Sequence, residues 1–247
     1  MFEKSERPGE GSPNALRRRR FAALAAVAGA ALLATAARGY AQGPAPFFTL
    51  PASSVKPPGP GGFLQRWLLL DPIRVEVRSN AQLTDSFVQA ALKKVYFPGQ
   101  FTGIPRDGDT VTAGDAQLTW HAVDASAYNV NLYHFAYDRG KPAFNVVFWA
   151  VTVVNSPRDM PGVRLAVGSN SASIWWLNGR EAIDLYGDRH MIVDDGVSKR
   201  LTLNKGPNIV RCAVINSPGL SNMCARFLDA EDNPLMGFTL SVGEAGK

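Results

Sequence analysis

A chain of 247 residues with a formal net charge of +5 invites a nucleic-acid reading, but the excess charge sits in a leader. Seven of the 26 basic and three of the 21 acidic side chains precede Gln42, leaving nineteen against eighteen in the remainder. A nucleic-acid binder needs a basic surface on its folded part, so nucleic acid is set aside as a partner.

The leader has the three-part order of a secretory signal peptide. Basic Arg17 to Arg20 precede Phe21 and an apolar stretch from Ala22 to Ala37, and Gly39-Tyr40-Ala41 supplies a small-x-small cleavage site. The apolar stretch is shorter than a bilayer requires, so no retained membrane span is expected. Arg18-Arg19-Arg20-Phe21 resembles the twin-arginine export motif, with Arg17 where that motif usually has Ser or Thr. A general secretory signal is the alternative. Residues 1–41 are therefore expected to be removed, leaving a mature protein in the periplasm or outside the cell. Residues 42–62, ending in Pro57-Pro58-Gly59-Pro60-Gly61-Gly62, have the composition of a linker. The folded part is expected over 63–243.

Within it, Phe63 to Val77 is strand-like with a bend at Pro72. Thr84 to Val95 is the one good helix, with Thr84 as cap, Asp85 at its positive end, and Phe87, Ala91, Leu92 and Val95 on one face. Breakers fill Phe97 to Asp115. Strands are expected over Gln117 to Val123 and over Phe144 to Asn155, the latter apolar on both faces and so central. Further turn-bounded strands follow: 163–167, 173–177, 181–185, 198–203, 208–216, 223–229 and 237–242. Short strands at close spacing with one helix predict an all-β antiparallel sandwich. Asn178-Gly179 between two such runs is a hairpin turn.

Several stretches carry a family resemblance: Phe63 to Ile73, Gly168-Ser169-Asn170, Trp176-Leu177-Asn178-Gly179, Arg189, Asp194-Asp195, and Leu203 to Asn208. Together they resemble the galactose-binding-like jelly-roll modules attached to bacterial glycoside hydrolases and carbohydrate esterases. The resemblance implies a jelly-roll fold, a glycan or other polyhydroxylated ligand, and a separate carbohydrate-active enzyme as partner. It is specific only in the second half of the chain, and Asn170-Ser171 stands where the family has paired acids.

The adjacent rings of Trp175 and Trp176 must point to opposite faces of a strand, so one fills the core and the other packs under a loop or meets a ligand. Tyr186, Arg189 and His190 combine a stacking ring, a bidentate donor and a switchable donor, a set suited to hydroxyl-rich ligands. Asp184, Asp188, Asp194 and Asp195 share that stretch and offer hard oxygen ligands for Ca²⁺; their spacing matches no EF-hand loop, and no cofactor is expected. Trp120 and His121 follow a strand and are candidates to line a groove. The three histidines and two cysteines show no zinc spacing. No nucleophile elbow, phosphate loop or dinucleotide fingerprint occurs.

Cys212 and Cys224 each lie six positions from Pro218. If 216–220 is a hairpin loop, they face one another across antiparallel strands within disulfide range, and export favours the bond. Two buried thiols are the alternative. The reading as a whole is an exported, non-catalytic module binding carbohydrate, with a groove where the 185–195 loop meets Trp120 and His121. A small stand-alone hydrolase or esterase is the second reading, and a structural adhesion or assembly module the third.

Overall fold

The computed structural model describes residues 46–77 and 79–243. The expected signal peptide and its cleavage site lie outside these residues. Among the described residues, no helix is long and apolar enough to cross a membrane.

The chain enters the fold through β1 (Phe48–Thr49) and β2 (Val55–Lys56), followed by β3 (Arg66–Leu70) and β4 (Ile73–Arg74). Helix α1 (Asp85–Lys93) precedes β5 (Thr110–Ala113), β6 (Ala116–Ala125) and β7 (Val130–Asn131). Helix α2 (Leu132–Tyr137) leads to the long strands β8 (Val146–Ser156) and β9 (Met160–Ser169), then to β10 (Ala172–Leu177) and β11 (Arg180–Leu185). Two short strands, β12 (Gly196–Val197) and β13 (Leu201–Leu203), precede β14 (Gly206–Asn216), β15 (Asn222–Leu228) and β16 (Thr239–Ser241).

These strands form an antiparallel β-sandwich. The larger sheet runs β1-β6-β3-β8-β14-β10-β11, with β2, β4, β5 and β16 joined to it. The smaller runs β12-β9-β15-β7, with β13 also paired to β9. Between the sheets lies one core, in which Trp67, Val154, Trp175 and Val210 of the larger sheet meet Leu165 and Phe227 of the smaller. The other face of the larger sheet is covered as well. There Val88 and Leu92 of α1, with Phe97 beyond it, pack on Trp120, Trp149 and Trp176. Burial on both faces accounts for the unbroken apolar run of β8.

The tryptophan pair follows from this layering. Trp175 is wholly buried between the sheets, edge-on to Trp67 with ring centroids 6.3 Å apart. Its Nε1 donates to Ser173 Oγ at 2.9 Å. Trp176 faces the other core, 5.4 Å from the Trp149 ring and 5.5 Å from that of Phe101. Both rings are architecture.

The caps read from sequence are present. Thr84 Oγ1 accepts from Phe87 N–H at 3.4 Å at the start of α1, but the buried stripe is Val88 and Leu92, and Val95 lies beyond the helix end, exposed. Asn178 and Gly179 both have positive φ, 51° and 78°, which a type I′ hairpin needs. Asn178 Oδ1 also accepts from Ile209 N–H at 2.8 Å, tying the turn to the neighbouring strand.

Three expectations are corrected. The Pro/Gly-rich stretch expected as a linker up to Gly62 is already part of the fold from Phe48. There β1 pairs with β6 and β2 with β16, and Ser53 O accepts from the buried Arg66. A second helix, α2, is present. The Cys212–Cys224 disulfide is absent, and both thiols are free and buried. The reason is topological. Strands β14 and β15 follow one another but belong to different sheets, so the 216–222 connection is an arch and not a hairpin. Cys212 points into the inter-sheet core, whereas Cys224 packs by Gly168 on the outer side of β15, away from it. Burial pushes the Cys212 thiol well above its ordinary pKa, and burial with the nearby Asp194 charge pushes Cys224 up to about 11. The expected result is two thiols titratable after unfolding without reductant, none reacting in the native state, and a melting temperature indifferent to reductant. A reductant-sensitive melt would contradict the sheet assignment.

Candidate functional site

The residues singled out from sequence fall into two groups that the fold keeps apart. Trp120 and His121 lie on β6, and the 185–195 segment leaves β11 at the opposite margin of the larger sheet. Four strands stand between β6 and β11, or five spacings of about 4.8 Å, roughly 24 Å. The joint groove does not form.

Trp120 is 3% exposed, edge-on to Phe97, and forms part of the wall of a small cavity of about 240 Å³. His121 projects from the other face of β6, with Nε2 3.1 Å from Asp71 Oδ1. Asp71 is nearly buried and also takes Lys141 Nζ at 2.9 Å and Thr119 N–H at 3.2 Å. Burial alone would raise its pKa, but the bonds from Lys141, Thr119 and His121 more than offset that and lower it.

In the 185–195 loop Tyr186, Arg189, Asp194 and Asp195 are engaged with the protein itself. Arg189 donates through Nε to Asp195 Oδ2 at 2.9 Å and through Nη1 to Tyr186 O at 3.1 Å. Asp194 is held by Arg226, whose Nε lies 3.0 Å from its Oδ1. The Tyr186 hydroxyl donates to Asp184 Oδ2 at 2.6 Å and accepts from Gln89; burial and the Asp184 bond push its pKa up to about 12. His190 is exposed. The loop is seated on the smaller sheet where Gly168 leaves no room, since a Cβ there would stand 1.9 Å from Ile192 O. Its charges pin it down. Among the described residues, no group of three or more His, Cys, Asp or Glu side chains is placed to hold a metal ion.

A different surface presents a group of exposed and half-buried rings. After β7, Asn131 Oδ1 accepts from His134 N–H at 2.9 Å and starts α2. Leu132, Phe135 and Ala136 then turn into the core, as the i, i+3, i+4 spacing dictates. Tyr133, His134 and Tyr137 are left on the outer face. Gly140 (φ 64°) ends the turn, and Lys141 N–H returns to Ala136 O at 3.0 Å. The Arg139 guanidinium lies over the Phe135 ring, 4.4 Å from its centroid, closing the base of the helix.

On this outer face five rings adjoin. Tyr133 and Tyr137 are stacked at 5.8 Å with 11° between their planes. Phe144 lies 5.8 Å from Tyr133, tilted by 45°. His134 contacts both tyrosines at 5.5 and 6.2 Å, and Phe47 stacks on His134 at 4.1 Å. Tyr137 is 64% exposed, and Phe47 and Phe144 are each 45% exposed. Asp138 stands beside them, its Oδ1 3.7 Å from His134 Nδ1, and Asn145 follows Phe144 in the chain. Contiguous exposed rings of this extent are uncommon on a surface without a binding role.

Sequence reading passed over this surface. The signal was present as density, since three of the six tyrosines fall between 128 and 137. A six-residue helix is too short for periodicity to reveal, and Phe47 and Phe144 join it only through the fold.

No protein-family model matches the chain, and no curated protein matches it. Among solved structures, similarity is found to a PA14 sugar-binding domain from an RTX adhesin, with TM-score 0.38 and 10% identity over 73% of this chain and all of that one. The PA14 domain of the antifreeze protein MpAFP gives TM-score 0.43 and 10% identity over 80% and 97% of the two chains. The GH31 alpha-xylosidase from Xanthomonas citri gives 0.32 and 9%, over 77% of this chain and 20% of that enzyme.

Proposed function

We propose that this chain is an exported, non-catalytic β-sandwich module that binds glycan chains on the ring surface around α2. The observation that carries the reading is the cluster of adjoining rings Phe47, Tyr133, His134, Tyr137 and Phe144, in which Phe47, Tyr137 and Phe144 are exposed and Tyr133 and His134 half-buried. A pyranose has an apolar face of C–H bonds, comparable in breadth to a phenol ring, with hydroxyls around its edge. A row of rings bordered by polar side chains matches that division, since tyrosine offers an apolar body with a hydroxyl at its tip. A purely apolar partner would leave the tyrosine hydroxyls unsatisfied on burial. Export is the part of the proposal that rests on the leader.

Calorimetry and affinity gels on a polysaccharide panel test the reading. Tyr137→Ala should weaken binding by about 0.5–1.5 kcal/mol, the scale of one aromatic contact, or roughly two- to tenfold. Tyr133→Ala with Tyr137→Ala should weaken it further. Tyr137 is mostly exposed, so its loss should leave the melting curve unchanged. Unaltered affinity in the double variant would remove this surface from the binding site.

A further inference from the structure

Beside the ring surface the chain builds a cavity of about 350 Å³. Its walls carry three cationic side chains, Arg74, Lys94 and Lys141, and no carboxylate. Its other polar wall residues are Tyr96 and Gln117, over an apolar floor that includes Leu118. In a protein whose body carries nineteen basic and eighteen acidic side chains, three cations around one cavity are a local departure from balance. Among the described residues, Lys141 alone of the three has a counterion, Asp71, whose side chain is 2% exposed. Lys94 Nζ rests 5.2 Å from the centroid of the Tyr96 ring. Arg74 is exposed and has no ion-pair partner among the described residues. Asp115 stands on the β5–β6 turn nearby but does not line the cavity.

The cavity and the rings share one piece of chain. The turn after α2 runs from Tyr137 through Lys141 and Pro142, both in the cavity wall, to Phe144. Three residues of chain span at most about 11 Å, so Phe144 lies close to Lys141. Strand β4 approaches from the other side. Arg74 pairs with Val146, two residues beyond Phe144, and Val75 N–H donates to Asn145 O at 2.9 Å. Phe144 is thus close in the chain to Lys141 and to the strand position paired with Arg74.

We propose that this cavity receives an acidic substituent, a uronate carboxylate or a sulfate ester, of a glycan held on the ring surface; the module is selective for acidic polysaccharides. The inference rests on the glycan reading above and adds the ligand class. Three like charges held around one cavity repel, and Asp71 offsets only one of them. An anion entering from the ligand relieves that repulsion, and the guanidinium of Arg74 offers the planar donor pair that matches a carboxylate or sulfate. The apolar floor suits the sugar ring that carries the acid.

The test uses matched polymers, namely polygalacturonate against its full methyl ester and dextran sulfate against dextran, with polyglutamate as an acidic polymer without sugar. The intact domain should bind at least one acidic polymer roughly three- to tenfold more tightly than its neutral counterpart, the range that two or three exposed ion pairs supply. The preference should shrink as salt is raised. Which pair shows it distinguishes carboxylate from sulfate. Arg74→Ala with Lys94→Ala, both exposed side chains, should abolish the preference and leave neutral binding in place, whereas Tyr137→Ala should weaken both. Equal binding within both pairs, or a preference that survives the double variant, would overturn the cavity's role while leaving the ring surface standing. Binding of polyglutamate as tight as polygalacturonate, unaffected by Tyr137→Ala, would overturn it in favour of a plain polyanion site. Binding to none of the sugars would overturn the ring reading and this inference together.

Discussion

Replacing Asp124 by alanine should cost about 3–5 kcal/mol of stability, the usual penalty for stripping one partner from a buried ion pair. Arg66 is 1% exposed and stands directly opposite Asp124 across the β3–β6 ladder. Its Nε and Nη2 donate to the two carboxylate oxygens at 2.8 and 2.9 Å, and its Nη1 donates to Ser53 O at 2.8 Å. With the carboxylate gone, a guanidinium remains in the interior with one carbonyl for company. It can only stay unpaired or drag the sheet margin open to reach water. Urea unfolding followed by tryptophan fluorescence measures the loss. A change below about 1 kcal/mol would place the pair among surface salt bridges, which contribute little. Replacing both partners by apolar residues, Arg66→Met with Asp124→Leu, should recover much of the loss, because the cost lies in the orphaned charge more than in the pair.

Trp175→Ala and Trp176→Ala should each destabilise the domain by about 3–5 kcal/mol, the range for truncating a large buried ring. The two do so through different cores. Trp175 leaves a void between the sheets beside Trp67. Trp176 leaves one beneath the 97–105 segment, where Phe101 and Trp149 close over it. Neither ring reaches the α2 surface, so glycan affinity measured on the folded fraction should not change. A Trp176 variant with native stability and weakened binding would mean that the second ring is a ligand platform after all.

Much of this protein is local and was therefore open to sequence reading. A cap needs only Thr84 and Phe87, a type I′ turn only Asn178 and Gly179, and a strand only its own alternation or unbroken apolar run. The helix at 85–93, the hairpin at 178–179 and most strands were legible for that reason. So was the division of the tryptophan pair, because the period of a strand is two whatever surrounds it.

What tertiary structure alone decided is which strand lies beside which, and what covers each face. An alternating pattern states that a strand has two faces but does not name its neighbours. Cys212 and Cys224 looked like a hairpin pair because their spacing is symmetric, yet their strands were drawn into different sheets. The 185–195 loop looked like a ligand site because it is rich in charge, yet Arg189 pairs with Asp195 inside it, and Asp194 with Arg226, which is remote in sequence. The candidate site escaped for the same reason. Phe47, Tyr133, His134, Tyr137 and Phe144 span almost a hundred residues, and it is the pairing of β1 with β6 and of β4 with β8 that brings the first ring and the basic cavity to the same short helix. Local patterns set the elements; long-range burial, in which each apolar face takes the partner that removes most surface from water, set their neighbours and so the site.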